Sequence, residues 1–312
     1  MEILKTLDRK YYDKKSVVTV GTFDGVHRGH RIVIDKVREL KNPCGCRSVI
    51  LTFDPHPQLI LRSKHSEIKL LSTTEEKLEI FKSLGIDVVY ILEFTKEFAS
   101  TSAEDFLKKY LVEGIGLSHL VLGFDHSFGK NREGNYETLK PLTSVYGFEL
   151  DKVGEFRGES KINSTAIRLL LAEGNAEKAA EILGAYYSFS GEVVAGDRRG
   201  NTIGFPTANV KIADEHKLVP KNGVYLVQVT IGGLSYFGMM NIGNRPTVRE
   251  NSEVFIEVNI FDFNAGIYGR KIKVSLIKYI RDERKFASLD KLVVQLNIDK
   301  LKCQKLLTNI NT

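Results

Sequence analysis

Val17-Val18-Thr19-Val20-Gly21-Thr22-Phe23-Asp24-Gly25-Val26-His27-Arg28-Gly29-His30 is the pivot of the sequence. Its first four residues form a short run of β-branched side chains, the composition of a buried strand. Beyond it Ile32, Val33, Val37 and Leu40 recur at the spacing of one helix face. A strand that passes through a glycine turn into a helix makes a natural anion site. Glycine lets the backbone approach a ligand, and the unpaired amides at a helix start attract phosphate. His27 and His30, separated by Arg28-Gly29, add donors that can become cationic as negative charge builds up. Taken without further context, the same residues make a tight βα turn with two surface histidines.

Working outward, strands and helices alternate. Strands are expected at Ser48–Phe53, Val88–Leu92, Leu120–Leu122 and Phe148–Val153. Helices are expected at Thr74–Leu84, Ala103–Val112 and Tyr136–Tyr146. This order predicts an α/β domain whose parallel sheet is covered on both faces, with ligands bound at the carboxyl ends of the strands. Several motifs fall at those ends. Phe53-Asp54-Pro55-His56-Pro57 is a rigid turn, with His56 either part of the turn or adjacent to substrate. Leu122 to Gly134 carries Gly123, Gly129 and Lys130, but the glycine spacing and Asn131 do not match a Walker A loop. In Lys161-Ile162-Asn163-Ser164-Thr165-Ala166-Ile167-Arg168, Ser164 or Thr165 caps a helix whose apolar face is Ile167, Leu170 and Leu171. Hydroxyls and free amides there can hold phosphate while Arg168 neutralises it.

After a helix at Ala176–Leu183 and Gly184, the period changes. Short β segments are expected at Tyr187–Val194, Val224–Ile231, Leu234–Asn241, Val254–Phe261 and Lys271–Ile280, separated by turns such as Gly232-Gly233. They predict a small antiparallel barrel, followed by a helix at Leu289–Ile310 with Leu292, Leu296 and Leu306 or Ile310 facing it. The two domains are therefore expected at 1–185 and 186–312. Gly196-Asp197-Arg198-Arg199-Gly200 is a basic loop suited to nucleotide phosphates. In Gly204-Phe205-Pro206-Thr207-Ala208-Asn209, Thr207 and Asn209 point the same way if the segment is extended, and both offer oxygen to Mg²⁺. Alone, this segment is a proline turn leading into a strand. Glu257 alternates in facing with the apolar residues around it, as a solvated strand carboxylate also would.

A length of 312 residues fits two domains, and 42% hydrophobic with 27% charged residues is ordinary for a soluble globular protein. The net charge of +6 is scattered, which suits anionic nucleotides better than nucleic acid. With no apolar run long enough to span a membrane and a polar opening MEILKTLDRKYYDKK, the expected location is the cytoplasm, without a membrane partner. Cys44, Cys46 and Cys303 make no disulfide framework, and the first two are expected as reduced thiols in a loop. Cys44-Gly45-Cys46 is too short for a zinc knuckle by itself and has no second ligand pair.

The segment GTFDGVHRGH resembles the His-x-Gly-His signature of the nucleotidylyltransferase superfamily. Its full form is similar to that of the bifunctional riboflavin kinase/FMN adenylyltransferase, or FAD synthetase, family. The likeness extends to the Phe53–Pro57, Asp125 and Ser164–Arg168 segments, to Pro206-Thr207-Ala208-Asn209 and to Glu257. It implies a Rossmann-like adenylyltransferase domain followed by a riboflavin kinase barrel. The substrates it implies are ATP, riboflavin and FMN, with Mg²⁺ as cofactor. It further implies ATP binding by Gly21, Asp24, Gly29, Ser164, Thr165, Arg168, Gly196, Gly200 and Gly204, and adenylyl transfer assisted by His27 and His30. Asp125 and Arg281 are implied on the flavin side, Thr207 and Asn209 as Mg²⁺ ligands, and Glu257 as the kinase base. The chain departs from the family pattern at His126, where phenylalanine is common, at Asn163 for serine, and at Asn259 for histidine. A single-activity enzyme and a flavin-binding regulator are the alternatives. A class I aminoacyl-tRNA synthetase shares the His-x-Gly-His turn, but no Lys-Met-Ser-Lys-Ser-like loop is present.

Overall fold

A computed structural model describes residues 1–61, 68–155, 162–196, 200, 203–245 and 253–310. The chain forms two compact units, Met1–Ser164 and Thr165–Thr312.

In the first unit six strands pair in parallel: β1 (Glu2–Leu4), β2 (Ser16–Val20), β3 (Arg47–Asp54), β4 (Val88–Glu93), β5 (Leu117–Leu122) and β6 (Glu149–Lys152). Their order is β1-β4-β3-β2-β5-β6. From β2 the chain steps outward to β3 and β4 on one side and then crosses back to β5 on the other side of β2, so the ligand crevice lies outside the carboxyl ends of β2 and β5. Every residue of β2 is buried because both faces are covered. Val18 and Val20 join one core, while Val17 packs with Val33 and Val37 from α1 (Arg28–Cys44). The sequence reading overlooked β1, an edge strand of three residues with two of them exposed. The expected helix at 103–112 is a short α-helix, Ala103–Phe106, continued as a π-helix, Leu107–Ile115. The one expected at 136–146 is broken by Pro141 into Tyr136–Leu139 and Leu142–Tyr146.

The cysteine expectation needs correction. Gly45 ends α1 in the left-handed region, at φ 59° and ψ 37°, and turns the chain back on itself. The Cα atoms of Cys44 and Cys46 thereby lie 5.2 Å apart, and the two residues form a disulfide.

The second unit is a closed antiparallel barrel of β7 (Ser188–Val194), β8 (Ala208–Lys211), β9 (Gly223–Ile231), β10 (Leu234–Arg245), β11 (Glu253–Ile260) and β12 (Lys271–Arg281). The strand order is β10-β11-β8-β7-β12-β9. Gly232 and Gly233, with φ of 57° and 87°, make the two-residue β9–β10 turn that the right-handed twist of a hairpin requires. The carboxyl-terminal helix, Leu289–Ile310, lays Val293, Leu296, Leu306 and Leu307 against Val224, Leu226, Met239 and Ile277.

Two further helices, Ser164–Ala172 and Ala176–Leu183, precede the barrel. The second packs on β12 and buries Ala176, Ala179, Ile182 and Leu183. Compactness therefore changes at Ser164/Thr165, upstream of the period change near residue 185. No helix among the described residues is long and apolar enough to cross a membrane.

Candidate functional sites

At the carboxyl ends of β2 and β5 the first unit holds a cavity of about 780 Å³. Gly21, Thr22, His27, Gly29, His30, Asp125, His126, Asn163 and Ser164 all line it. The turn that shapes it is strained: Phe23 and Val26 take φ of 48° and 40°, which side chains rarely adopt. Asp24 holds this conformation. Its buried Oδ1 accepts from the amides of Leu71 at 2.9 Å and Ser72 at 3.0 Å. The Ser72 hydroxyl accepts from the Gly25 amide at 2.9 Å, and the Asp24 carbonyl accepts from the Ser164 hydroxyl at 2.9 Å. The carboxylate expected to meet ATP is thus turned inward, where it fixes the turn, while the backbone carbonyl of the same residue seats Ser164.

Lys77, on the Thr74–Ser83 helix, was missed by sequence reasoning. It is buried, and its Nζ donates to the Thr22 carbonyl at 3.2 Å. A lysine among the apolar positions of that helix was the only available signal.

His27 caps α1, its Nδ1 accepting from the His30 amide at 3.4 Å. In the neutral ring Nε2 is then the donor. The rings of His27 and His30 stack with centroids 3.6 Å apart, and the edge of Phe23 closes on His30 at 5.2 Å. Burial holds His30 well below the ordinary histidine range, and His27, His126 and Lys77 lower it further when they carry charge. In the ligand-free chain His30 is therefore a neutral hydrogen-bond donor at neutral pH. Gly29 keeps the first turn of α1 tight. A Cβ there would lie 3.3 Å from two atoms of the His27 ring.

Asp125 is exposed on the loop after β5, between this cavity and a second one of about 360 Å³ that includes His126, Arg132, Tyr136 and Lys152. Arg132 fixes that loop, its Nε donating to the Ser127 hydroxyl at 2.9 Å and its Nη2 to the Asp125 carbonyl at 3.3 Å. Thr165 is exposed and Arg168 half-buried on the helix that follows Ser164, in the second unit. Lys161 lies outside the described residues.

In the barrel, one register row crosses all six strands: Arg281, Val224, Asn241, Glu257, Asn209 and Val194 are successive partners. Residues so paired project to the same face, so Asn209 and Glu257 are side-chain neighbours. Glycines press on this face. A Cβ on Gly196 would collide with the Asn209 amide, and one on Gly200 would collide with the Phe205 carbonyl and lie 3.1 Å from Thr207 Oγ1. Asp197, Arg198 and Arg199, the centre of the expected phosphate loop, lie outside the described residues. Gly204 serves the turn conformation, with φ of 79° and open space at its Cβ position.

Thr207 and Pro206 line a cavity of about 300 Å³ with Phe263 and Tyr268. Asn259, the departure from histidine, ties β11 to this turn by donating from Nδ2 to the Pro206 carbonyl at 2.7 Å. The hydroxyl of Thr207 and the amide oxygen of Asn209 are hard oxygen donors two residues apart, opposite a carboxylate. That set fits Mg²⁺.

Arg281, expected on the flavin side, is tied to the carboxyl-terminal helix. Its Nε and Nη2 donate to the Asp299 carboxylate at 2.9 and 2.7 Å, and its Nη1 donates to the Asp282 carbonyl at 2.9 Å. Gln295 completes the cluster from the same helix as Asp299. The fork that was expected at the flavin pins the carboxyl-terminal helix to the barrel.

Comparison with known proteins matches two family models to successive stretches of the chain. The family model for FAD synthetase matches residues 9–166, and that for riboflavin kinase matches residues 183–307. A Listeria monocytogenes protein is 38% identical over 292 residues, 93% of this chain and 92% of its own length. A Bacillus subtilis protein is 38% identical over 300 residues, 95% of this chain and 94% of its own. Both are described as bifunctional riboflavin kinase/FMN adenylyltransferase. Among solved structures, a Streptococcus pneumoniae protein described as a macrolide-efflux protein superimposes with a TM-score of 0.87 at 33% identity. That match covers 97% of this chain and 98% of the other.

Proposed function

The chain belongs to the bifunctional riboflavin kinase/FMN adenylyltransferase family, and we propose that its barrel makes FMN while its parallel-sheet unit converts FMN to FAD. The register pairing of Asn209 with Glu257 carries the kinase half of this reading. Transfer of the γ-phosphoryl group of ATP to the terminal ribityl hydroxyl of riboflavin needs alignment, charge neutralisation and an acceptor for the hydroxyl proton. Glu257 accepts that proton from its place beside Asn209. Mg²⁺ held by Thr207 and Asn209 supplies the charge neutralisation when bound. Gly196, Gly200 and Gly204 bring backbone close to the phosphates.

In the second reaction the FMN phosphate attacks the α-phosphorus of ATP and pyrophosphate leaves. The attacking oxygen is already ionised, so no general base is required. What the step needs is donors aimed at charge developing on phosphate oxygens. The amides at the start of α1, Gly21 and Gly29 in the turn, the rings of His27 and His30, and the Ser164 hydroxyl meet that need. Asp24 acts through the turn that it holds. The resemblance adds Thr165 and Arg168 to the phosphate-binding set. Asp125, beside the exposed ring of Phe124, serves the flavin end. On this reading the division of activities falls near residue 185, and the reactions proceed in the cytoplasm, where ATP is available.

Incubating the purified chain with riboflavin, ATP and Mg²⁺ and resolving the flavins by chromatography tests the proposal. FMN should appear first and FAD after it. Glu257→Gln should stop the first product without affecting FAD made from supplied FMN, and His30→Ala should accumulate FMN. Production of one flavin alone would favour a single-activity enzyme, and binding without turnover would favour a flavin-responsive regulator.

A further inference from the structure

The fold brings His119 to Cys44 and Cys46, at the end of α1 opposite the phosphate-binding turn. Cys44 is the last residue of α1, Cys46 precedes β3, and His119 lies in β5. One ligand atom from each lies within 4.8 Å of the other two. Cys44-Gly45-Cys46 is too short for a zinc knuckle by itself and has no second ligand pair in the sequence; the parallel sheet adds one ligand, His119. We propose that the reduced form of this cluster binds a Zn²⁺ ion through Cys44, Cys46 and His119, with water in the fourth position.

The polar groups around His119 are arranged for this. The Ser118 hydroxyl lies 3.5 Å from Cys46 Sγ and 3.0 Å from His119 Nδ1, which places Nδ1 on the cysteine side of the ring. Nε2 faces outward, 3.3 Å from the Glu149 carboxylate. A carboxylate behind a metal-binding histidine fixes its tautomer and strengthens it as a donor. Zn–S and Zn–N lengths in a tetrahedral site separate neighbouring ligand atoms by about 3.5–3.8 Å, and His119 lies within 4.8 Å of both sulfurs, which reduction frees to part. The carbonyl end of α1 carries the negative pole of the helix, which favours a cation beside Cys44. Two thiolates select a thiophilic ion over Mg²⁺ or Ca²⁺.

Oxidation state gates the site. The disulfide takes two electrons and two protons from a dithiol reductant to give two thiols. Zn²⁺ then forms two Zn–S bonds and one Zn–N bond as the two thiols release their protons. Since α1 runs from His27 and Arg28 to Cys44, the site fastens the far end of the helix that carries the phosphate-binding turn.

The test uses the full chain, reduced and stripped of metal, with Co²⁺ as a spectroscopic probe and Zn²⁺ measured by competition with a chromophoric chelator. One equivalent of Co²⁺ should give thiolate-to-metal charge-transfer absorption and the strong visible bands of a tetrahedral ion, and Zn²⁺ should displace it. The disulfide form should give neither. Cys46→Ser and His119→Ala should each weaken Zn²⁺ by about tenfold or more, the range seen when support for a metal site is lost. FMN and FAD formation within twofold of the unmodified chain would show that these variants are folded. Absence of charge-transfer absorption in the reduced, unmodified chain would overturn the proposal whatever the variants do. So would a loss smaller than tenfold in folded His119→Ala.

Discussion

Glu257 and Asn209 are direct register partners across β11 and β8, so an acid and an amide separated by 48 positions in the chain share one point on the barrel surface. If they serve one transition state, their effects should not be independent. Glu257→Gln should lower FMN formation by about 10²-fold, the usual worth of a general base. Adding Asn209→Ala should lower it by less than the product of the two single effects. Initial rates of the four enzymes supply the cycle, and simple multiplication of effects would separate the two roles.

Asp24→Ala removes the acceptor for two buried amides, those of Leu71 and Ser72. The expected cost is about 3 kcal/mol of stability, on the scale for buried donors left unpaired. Asp24→Asn keeps an acceptor oxygen and should retain more stability. Thermal melting followed with FAD formation distinguishes this from a direct ATP contact, for which KM would rise in both variants at unchanged stability.

Stability should fall in acid through the histidines of the first site. Burial pushes His126 from 6.5 down to about 4. Below pH 6.5 the unfolded chain takes up a proton that the folded chain refuses until about pH 4, so this contribution is complete above 6.5 and lost as pH falls. His30 acts in the same direction. His126→Phe should flatten the dependence of the melting temperature on pH across that interval, and an unchanged slope would show that other groups control it.

Arg281→Ala strands the buried carboxylate of Asp299. A cost of about 3–5 kcal/mol is expected for breaking such a pair from one side. Asp299→Ala should be similarly damaging, and the double variant less damaging than the sum. Denaturant unfolding of the three variants measures this coupling.

A fragment of residues 165–312 should fold and make FMN but not FAD. It retains Thr207, Asn209, Glu257 and Arg281 together with the Ala176–Leu183 helix that packs on β12. A fragment of residues 186–312 exposes the surface which that helix covers and should melt at lower temperature. A folded 165–312 fragment that binds ATP yet yields no FMN would place part of the kinase site outside the second unit.

Period and local chemistry were legible in the sequence. The run from Val17 to Val20, the helix face of Val33 and Val37, and the change to alternating strands after Gly184 depend on neighbours in the chain. So do the glycine turn of GTFDGVHRGH and the positions of Thr207 and Glu257 on their segments. The three-residue β1 was not legible because its pairing with β4, far along the chain, makes it a strand.

Direction and partnership were settled by tertiary structure. Nothing near Asp24 in sequence shows that its carboxylate reaches back to the amides of Leu71 and Ser72. Only packing of the last helix assigns the Arg281 fork to Asp299, and only burial makes His30 a neutral donor. Sheet order alone carries His119 to Cys44 and Cys46. Strand and helix formation follow from periodicities of two and 3.6 residues, which a linear sequence displays. Register, burial and ion pairing depend on which distant surfaces meet, and the free energy of a polar side chain depends on the partner it finds there.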